Sequence, residues 1–273
     1  MPFGLPDDQQ KLTYGGYLRV RELTALQELK SDPAQHDETL FIIIHQTYEL
    51  WFKQILHEVD AILGYLDRDE ILGGVRLLNR CHEIQRVLVG QLTVLETMTP
   101  TDFLSFRDHL MPASGFQSAQ FREIEFLSGL KEARFVGHYE EGTPEHGQLS
   151  RRLAAPTLRD GFHALLRRRG FDIPVSDDGP DGADGADERL VAELVRLYRD
   201  PTAHYDLFLL IEALTEYDEL FSLWRFRHVQ MVERVIGGRP GTGGSDGAAY
   251  LRGTVGRRLF PELWEMRTRL GTA

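Results

Sequence analysis

Three polar side chains are set into stretches that are otherwise apolar: His45 in FIIIHQTYELWF, Arg107 in TDFLSFRDHL and His228 in WRFRHVQM. His45 follows Phe41 by one helical turn and precedes Phe52 by two, so its ring points where its apolar neighbours point. That spacing gives a buried ring with a polar tip, able to hydrogen-bond or to hold a metal. Arg107 stands four residues after Phe103, with no carboxylate at the i±4 positions; Asp108 lies about 100° further round the helix. A guanidinium aimed inward seeks a bidentate anion, and a ligand carboxylate is one candidate. His228 is surrounded by Trp224, Arg225, Phe226 and Arg227. That setting suits an iron ligand, with aromatics along a macrocycle and arginines at its carboxylates. Each residue also has a plainer role, since most of the ten histidines belong to the surface or to a satisfied core and internal arginines commonly pair with Asp or Glu. On these side chains alone three readings stay open: an enzyme, a binding or sensing protein without turnover, and an assembly module in which all three are core residues.

Other motifs fall away. In GTGGSDG, Asp246 stands where a dinucleotide fingerprint needs its third glycine, and a helix precedes it where a strand is required. Gly244 is followed by Ser245 and Asp246, so there is no phosphate-binding Gly-Lys-Ser/Thr. HEVDA at His57 lacks the second histidine of a zincin helix, and Cys81-His82 is a neighbouring pair without the C-x-x-C-H of covalent haem attachment. Cys81, the single cysteine, reads as a core residue and excludes an intrachain disulfide framework.

The elements that must position these groups are helical. Apolar residues recur at intervals of three and four, and period-two alternation hardly occurs. One rod runs from His36 or Asp37 to about Asp67, on the stripe Phe41, Ile44, His45, Tyr48, Phe52, Ile55, Val59, Ile62 and Leu66. A second runs from about Glu70 to Met98 with Val75, Leu78, Cys81, Ile84, Val87, Leu88, Leu92 and Leu95. A third spans Thr202 to Ile236 after Pro201. Shorter helices are expected over Asp102–Leu110 (capped by Thr101), Gln117–Leu130, Gly147–Arg168, Ala186–Tyr198 and Pro261–Leu270. The fold class is therefore all-α: a single-domain bundle of long antiparallel helices with shorter flanking ones, spanning 1–273. SDDGPDGADGAD, Ser176 to Asp187, reads as a surface loop. With 42 acidic against 31 basic residues and a net charge of −11, the chain opposes non-specific attraction to nucleic acid or anionic membrane. The start shows no secretory signal and no apolar run approaches a membrane span, so a soluble cytoplasmic protein is expected.

Seven blocks in order now carry a resemblance: LTYGGYL (Leu12–Leu18), FIIIHQTYELWFKQI (Phe41–Ile55), LETMTPTDFLSFRDHL (Leu95–Leu110), PASGFQSAQFR (Pro112–Arg122), WRFRHVQMVERVIG (Trp224–Gly237), GTGGSDGAAYL (Gly241–Leu251) and FPELWEMR (Phe260–Arg267). The chain resembles the tryptophan 2,3-dioxygenase family. The resemblance implies an all-helical haem enzyme that inserts O2 across the indole C2–C3 bond of L-tryptophan to give N-formyl-L-kynurenine, the first step of the kynurenine pathway. It implies one non-covalent haem b per subunit, ferrous when active, with His228 as the axial iron ligand and Ser114, Gly115 and Trp224 at the cofactor. His45 falls on the histidine that hydrogen-bonds the indole N–H, and Phe41, Ile42, Ile43, Ile44 and Phe103 on the wall of the substrate site. Arg107 would clamp the substrate carboxylate. Thr242, in the glycine segment, would contact the backbone end of the substrate from a closing flap. Tyr14 and Tyr17 fall on an N-terminal arm, residues 1–20, that reaches a neighbouring subunit of a homotetramer built as a dimer of dimers. Phe103 stands where some relatives carry tyrosine, and Pro240 precedes the flap.

Overall fold

The computed structural model describes residues 12–174, 187–244 and 246–271. Two short helices, α1 (Tyr14–Tyr17) and α2 (Val20–Leu23), precede the first long rod, α3 (Glu38–Asp67). A tight connection reverses the chain into α4 (Ile71–Leu95). The stripe read on α3 is its buried face: Ile44, Tyr48, Phe52, Ile55, Val59, Ile62 and Leu66 are all in the core. On α4 the stripe holds through Leu78, Cys81, Ile84, Leu88, Leu92 and Leu95, whereas Val87 is turned to the surface. The next elements are α5 (Pro100–Phe106), α6 (Ala119–Ser128), α7 (Pro144–Ala154), α8 (Leu158–Arg168) and α9 (Glu188–Arg199). The third rod is α10 (Tyr205–Ile236), followed by α11 (Ala248–Arg252) and α12 (Pro261–Arg269). No strand occurs and no helix is long and apolar enough to cross a membrane, among the described residues.

Direction is set by the side chains that tie the rods. Tyr48 donates to the Leu88 carbonyl at 2.5 Å and Arg80 to Glu58 at 2.8 Å, so α3 and α4 are antiparallel, as expected from their short connection. The pairs His82 with Ala213 O, Gln85 with Tyr217 O and Arg227 with Glu96 climb together along α4 and α10. Those two rods are therefore parallel, and the long excursion between them carries the chain back to the starting end. This corrects the all-antiparallel expectation. It also gathers the beginning of α3, the end of α4 and the end of α10 at one end of the bundle, where the cavity lies.

Several boundaries differ for local reasons. The helix expected over 147–168 is two, because Pro156 cannot continue α7 and Thr157 opens α8 with a reciprocal capping box to Asp160. Thr99, rather than Thr101, caps α5, again with a capping box to Asp102, and Pro100 takes the first helical position. The segment after α5 tightens into a 3-10 turn, Arg107–Leu110. Pro201 lies in a turn before α10, which begins at Tyr205. The expected loop Ser176–Asp187 lies outside the described residues except for Asp187, which caps α9.

Candidate active site

A cavity of about 1520 Å³, its mouth included, opens between the first half of α3, the end of α4 and the last third of α10. Phe41, His45, Phe103, Arg107, Trp224 and His228 all line it, as do Ser114, Gly115 and Thr242. Residues as far apart in the chain as Phe41 and Thr242 thus meet in one space.

Two histidines line it, His45 from α3 and His228 from α10. His45 Nδ1 lies 2.7 Å from the Phe41 carbonyl. A carbonyl only accepts, so Nδ1 carries the proton and Nε2 is left as an acceptor. Burial holds the His45 ring below the usual imidazole range, opposed by the Phe41 hydrogen bond and by Glu49, one turn further along α3. Burial also acts on His228, pushing it down to about 4, with the nearby His45 adding to the effect. Both rings are therefore neutral at pH 7. Neither nitrogen of His228 has a hydrogen-bond partner among the described residues, and Trp224, one turn before it, stacks on its ring at 5.1 Å and 17°. A neutral imidazole with a free lone pair at the wall of an apolar cavity is the form that ligates a metal.

Above His45 the wall is aromatic. Phe41 sits 4.1 Å from the His45 ring and 5.6 Å from Phe103, and Phe106 closes the group edge-on to Phe103 at 5.4 Å. Arg107 extends from this cluster with its side chain only 15% exposed. Its Nη2 donates to the Pro240 carbonyl at 2.5 Å, and Asp108 approaches no nearer than 3.9 Å, so no carboxylate neutralises it closely. Thr242 Oγ1 donates to the Ala113 carbonyl at 2.6 Å. The glycine segment is thereby draped from the end of α10 onto the turn at 112–115. Ser114 is held there by its own capping box with Gln117.

Some expected residues lie elsewhere. Ile42, Ile43 and Ile44 do not line the cavity: Ile43 is exposed, and Ile44 is packed in the core. The reason is helical phase, since only Phe41 and His45 of this run share the cavity-facing side. Phe226 is exposed and Arg227 pairs with Glu96, so of the residues flanking His228 only Trp224 and Arg225 reach the cavity. Arg225 is buried and shares Glu125 with Arg122, at 2.9 and 2.6 Å. Tyr14 and Tyr17 stand exposed on α1, away from the cavity of their own chain. Sequence reading missed Glu49, Arg122, Glu125 and Tyr250, all in the cavity wall. Glu49 carried a signal, standing four residues after His45. The Arg122–Glu125–Arg225 cluster carried none, because its members come from two helices about a hundred positions apart.

The fold and site define an all-helical protein with two neutral histidines lining an apolar, arginine-edged cavity. The model of the family described as tryptophan 2,3-dioxygenase matches residues 5–168 and 185–270, and the chain belongs to that family. Among its relatives, the chain is 48% identical over 270 residues to tryptophan 2,3-dioxygenase of a Nocardioides species, covering 95% of each chain. It is 42% identical over 262 residues to the enzyme of that name from Myxococcus xanthus, covering 95% of this chain and 90% of the relative. The corresponding figure for Caulobacter vibrioides is 43% over 263 residues, covering 96% and 99%.

Proposed function

We propose that the cavity holds a b-type haem on His228 with L-tryptophan beside it, and that the chain inserts both atoms of O2 across the indole C2–C3 bond. The C2–C3 bond breaks, each carbon gains one oxygen atom, and N-formyl-L-kynurenine results. One observation carries the reading: two neutral histidines from different helices line one cavity, one with no hydrogen bond on its ring and the other with its lone pair fixed. The wall fits the cofactor. Trp224 lies parallel to the ligand imidazole, its Nε1 and the Nε of Arg225 are buried donors without an acceptor, and Arg122 and Arg225 share a single carboxylate. The surplus positive charge suits the acidic edge of a haem. Bound there, haem supplies O2 activation, chemistry that no side chain of the chain provides.

The chain's own residues supply orientation. Phe41 and Phe103 offer the indole an apolar slot, and His45 Nε2 accepts its N–H. An indole N–H is too weak an acid for a histidine near neutrality to ionise, so His45 positions and polarises. Arg107 takes the carboxylate as a bidentate pair, Thr242 meets the amino acid end, and the flap excludes bulk water. Ser114 and Gly115 line the same cavity. Tyr14, Tyr17 and the rest of the N-terminal arm complete the site of a neighbouring subunit in a cytoplasmic homotetramer, which suits their exposure. Turnover under 18O2 tests the reading: both labels are expected in the product, and a single label, or haem binding without product, would overturn it.

A further inference from the structure

We propose that Gly243 is a positioning residue for the substrate: it is the point at which the flap seats on the turn at 112–115, and its missing side chain is what brings Arg107 and Thr242 to their places. The inference rests on the reading that the cavity takes L-tryptophan.

The glycines of this segment divide by what they are needed for. Gly237 and Gly244 have φ of 61° and 79°, a left-handed region that disfavours side chains, and nothing within 4 Å of a Cβ position, so conformation alone accounts for them; Gly247, at φ 58°, would also place a Cβ 2.5 Å from the Arg239 carbonyl within the flap itself. Gly243 has no such φ. Its need is spatial: a Cβ there would lie 2.7 Å from Ser114 Cβ, 3.2 Å from Ser114 Oγ and 3.6 Å from the Pro112 carbonyl. Ser114 Cβ is not the loose end of a long side chain. Ser114 N donates to Gln117 Oε1 at 3.2 Å and Ser114 Oγ accepts from Phe116 N at 3.3 Å, so the turn is braced against yielding. A side chain at 243 therefore lifts the flap.

The neighbours of Gly243 show what lifting would undo. Thr242 bonds the Ala113 carbonyl, one residue before Ser114, and Pro240, three residues before Gly243, supplies the carbonyl that Arg107 holds. The two side chains assigned to the amino acid end of the substrate are thus both tied to the seated flap. Gly115, by contrast, has nothing within 4 Å of a Cβ position, so on the turn side the close approach falls on Ser114.

The test is a double-mutant cycle in the haem-loaded protein: Gly243→Ala, Ser114→Gly and the two together, with kcat and KM for L-tryptophan and amide hydrogen exchange of residues 239–247 without substrate. Gly243→Ala is expected to raise KM about tenfold, equivalent to ~1.4 kcal/mol, to speed exchange in the flap and to leave the haem absorbance unchanged. Ser114 also lines the cavity, so Ser114→Gly is its own reference: once the opposing Cβ is gone, adding Gly243→Ala is expected to change KM and flap exchange little further. Unchanged KM and exchange in Gly243→Ala, or an effect of Gly243→Ala as large in the Ser114→Gly background as in the parent, would overturn the proposal. If the parent protein fails to oxidise tryptophan, the functional reading fails, while the exchange data still decide whether 243 seats the flap.

Discussion

At the scale of single residues the account turns on side chains whose charge state is set by burial. His228→Ala is expected to abolish haem retention, seen as loss of haem absorbance after gel filtration. Retention of haem at parental stoichiometry would remove His228 from the ligand role. Arg107→Leu is expected to raise the KM for tryptophan by one to two orders of magnitude, since a charge-assisted hydrogen bond contributes about 1.5–3 kcal/mol, with kcat changed less. His45 needs its free lone pair, and burial holds its pKa down. Tryptophan affinity should therefore stay level as pH falls through 6.5 and weaken only in more acid solution; weakening already above that point would contradict the assignment. His228 adds a stability term in the haem-free protein. Its folded pKa, about 4 against 6.5 for the unconstrained group, means that the unfolded chain takes up the proton first as pH drops. The contribution is fully present above pH 6.5 and is lost between 6.5 and about 4. Urea midpoints of the haem-free protein across that window, compared with His228→Ala, measure it.

At the scale of elements, the site is held by the way segments are fastened to the rods. Asp218 on α10 is fully buried and accepts from Leu259 N, Phe260 N and Trp264 Nε1 at 3.0, 3.2 and 2.9 Å. It pins the segment before α12 to the helix that carries His228. Asp218→Ala leaves the buried Leu259 and Phe260 N–H groups and the half-buried Trp264 Nε1 without their partner and is expected to cost about 3 kcal/mol, read as a lower denaturation midpoint. An unchanged midpoint would mean that water replaces the carboxylate. The long rods were legible in the sequence because a sustained 3.6-residue stripe has few alternatives. The break at Pro156 and the cap at Thr99 were also written there, as Pro-Thr-x-x-Asp and Thr-Pro-x-Asp; continuing apolar spacing outweighed the first, and for the second Thr101, after Pro100, competed as the cap. The parallel run of α4 and α10 was not legible. It depends on where the excursion between them returns, and no local pattern records that.

At the scale of the molecule, the cavity sits where three rod ends converge, and much of it was legible: Phe41, His45, Phe103, Arg107, His228 and Thr242 do meet. The misplaced isoleucines show the limit, since neighbours in sequence spread around a helix by about 100° each. The exposed α1 tyrosines lead to a prediction about assembly. If the arm completes a neighbouring site, subunits carrying Tyr14→Ala and Tyr17→Ala, mixed with subunits carrying Arg107→Leu, should form hybrid oligomers more active than either parent. Activity that only averages the parents would confine each site to one chain. The most direct test of the whole account is to load the protein with haem, reduce it anaerobically, and add O2 with L-tryptophan while following N-formylkynurenine absorbance. The account predicts product in step with O2 consumed, and none from His228→Ala. A protein that stays colourless with added haemin, or that binds haem and consumes no tryptophan, would contradict it.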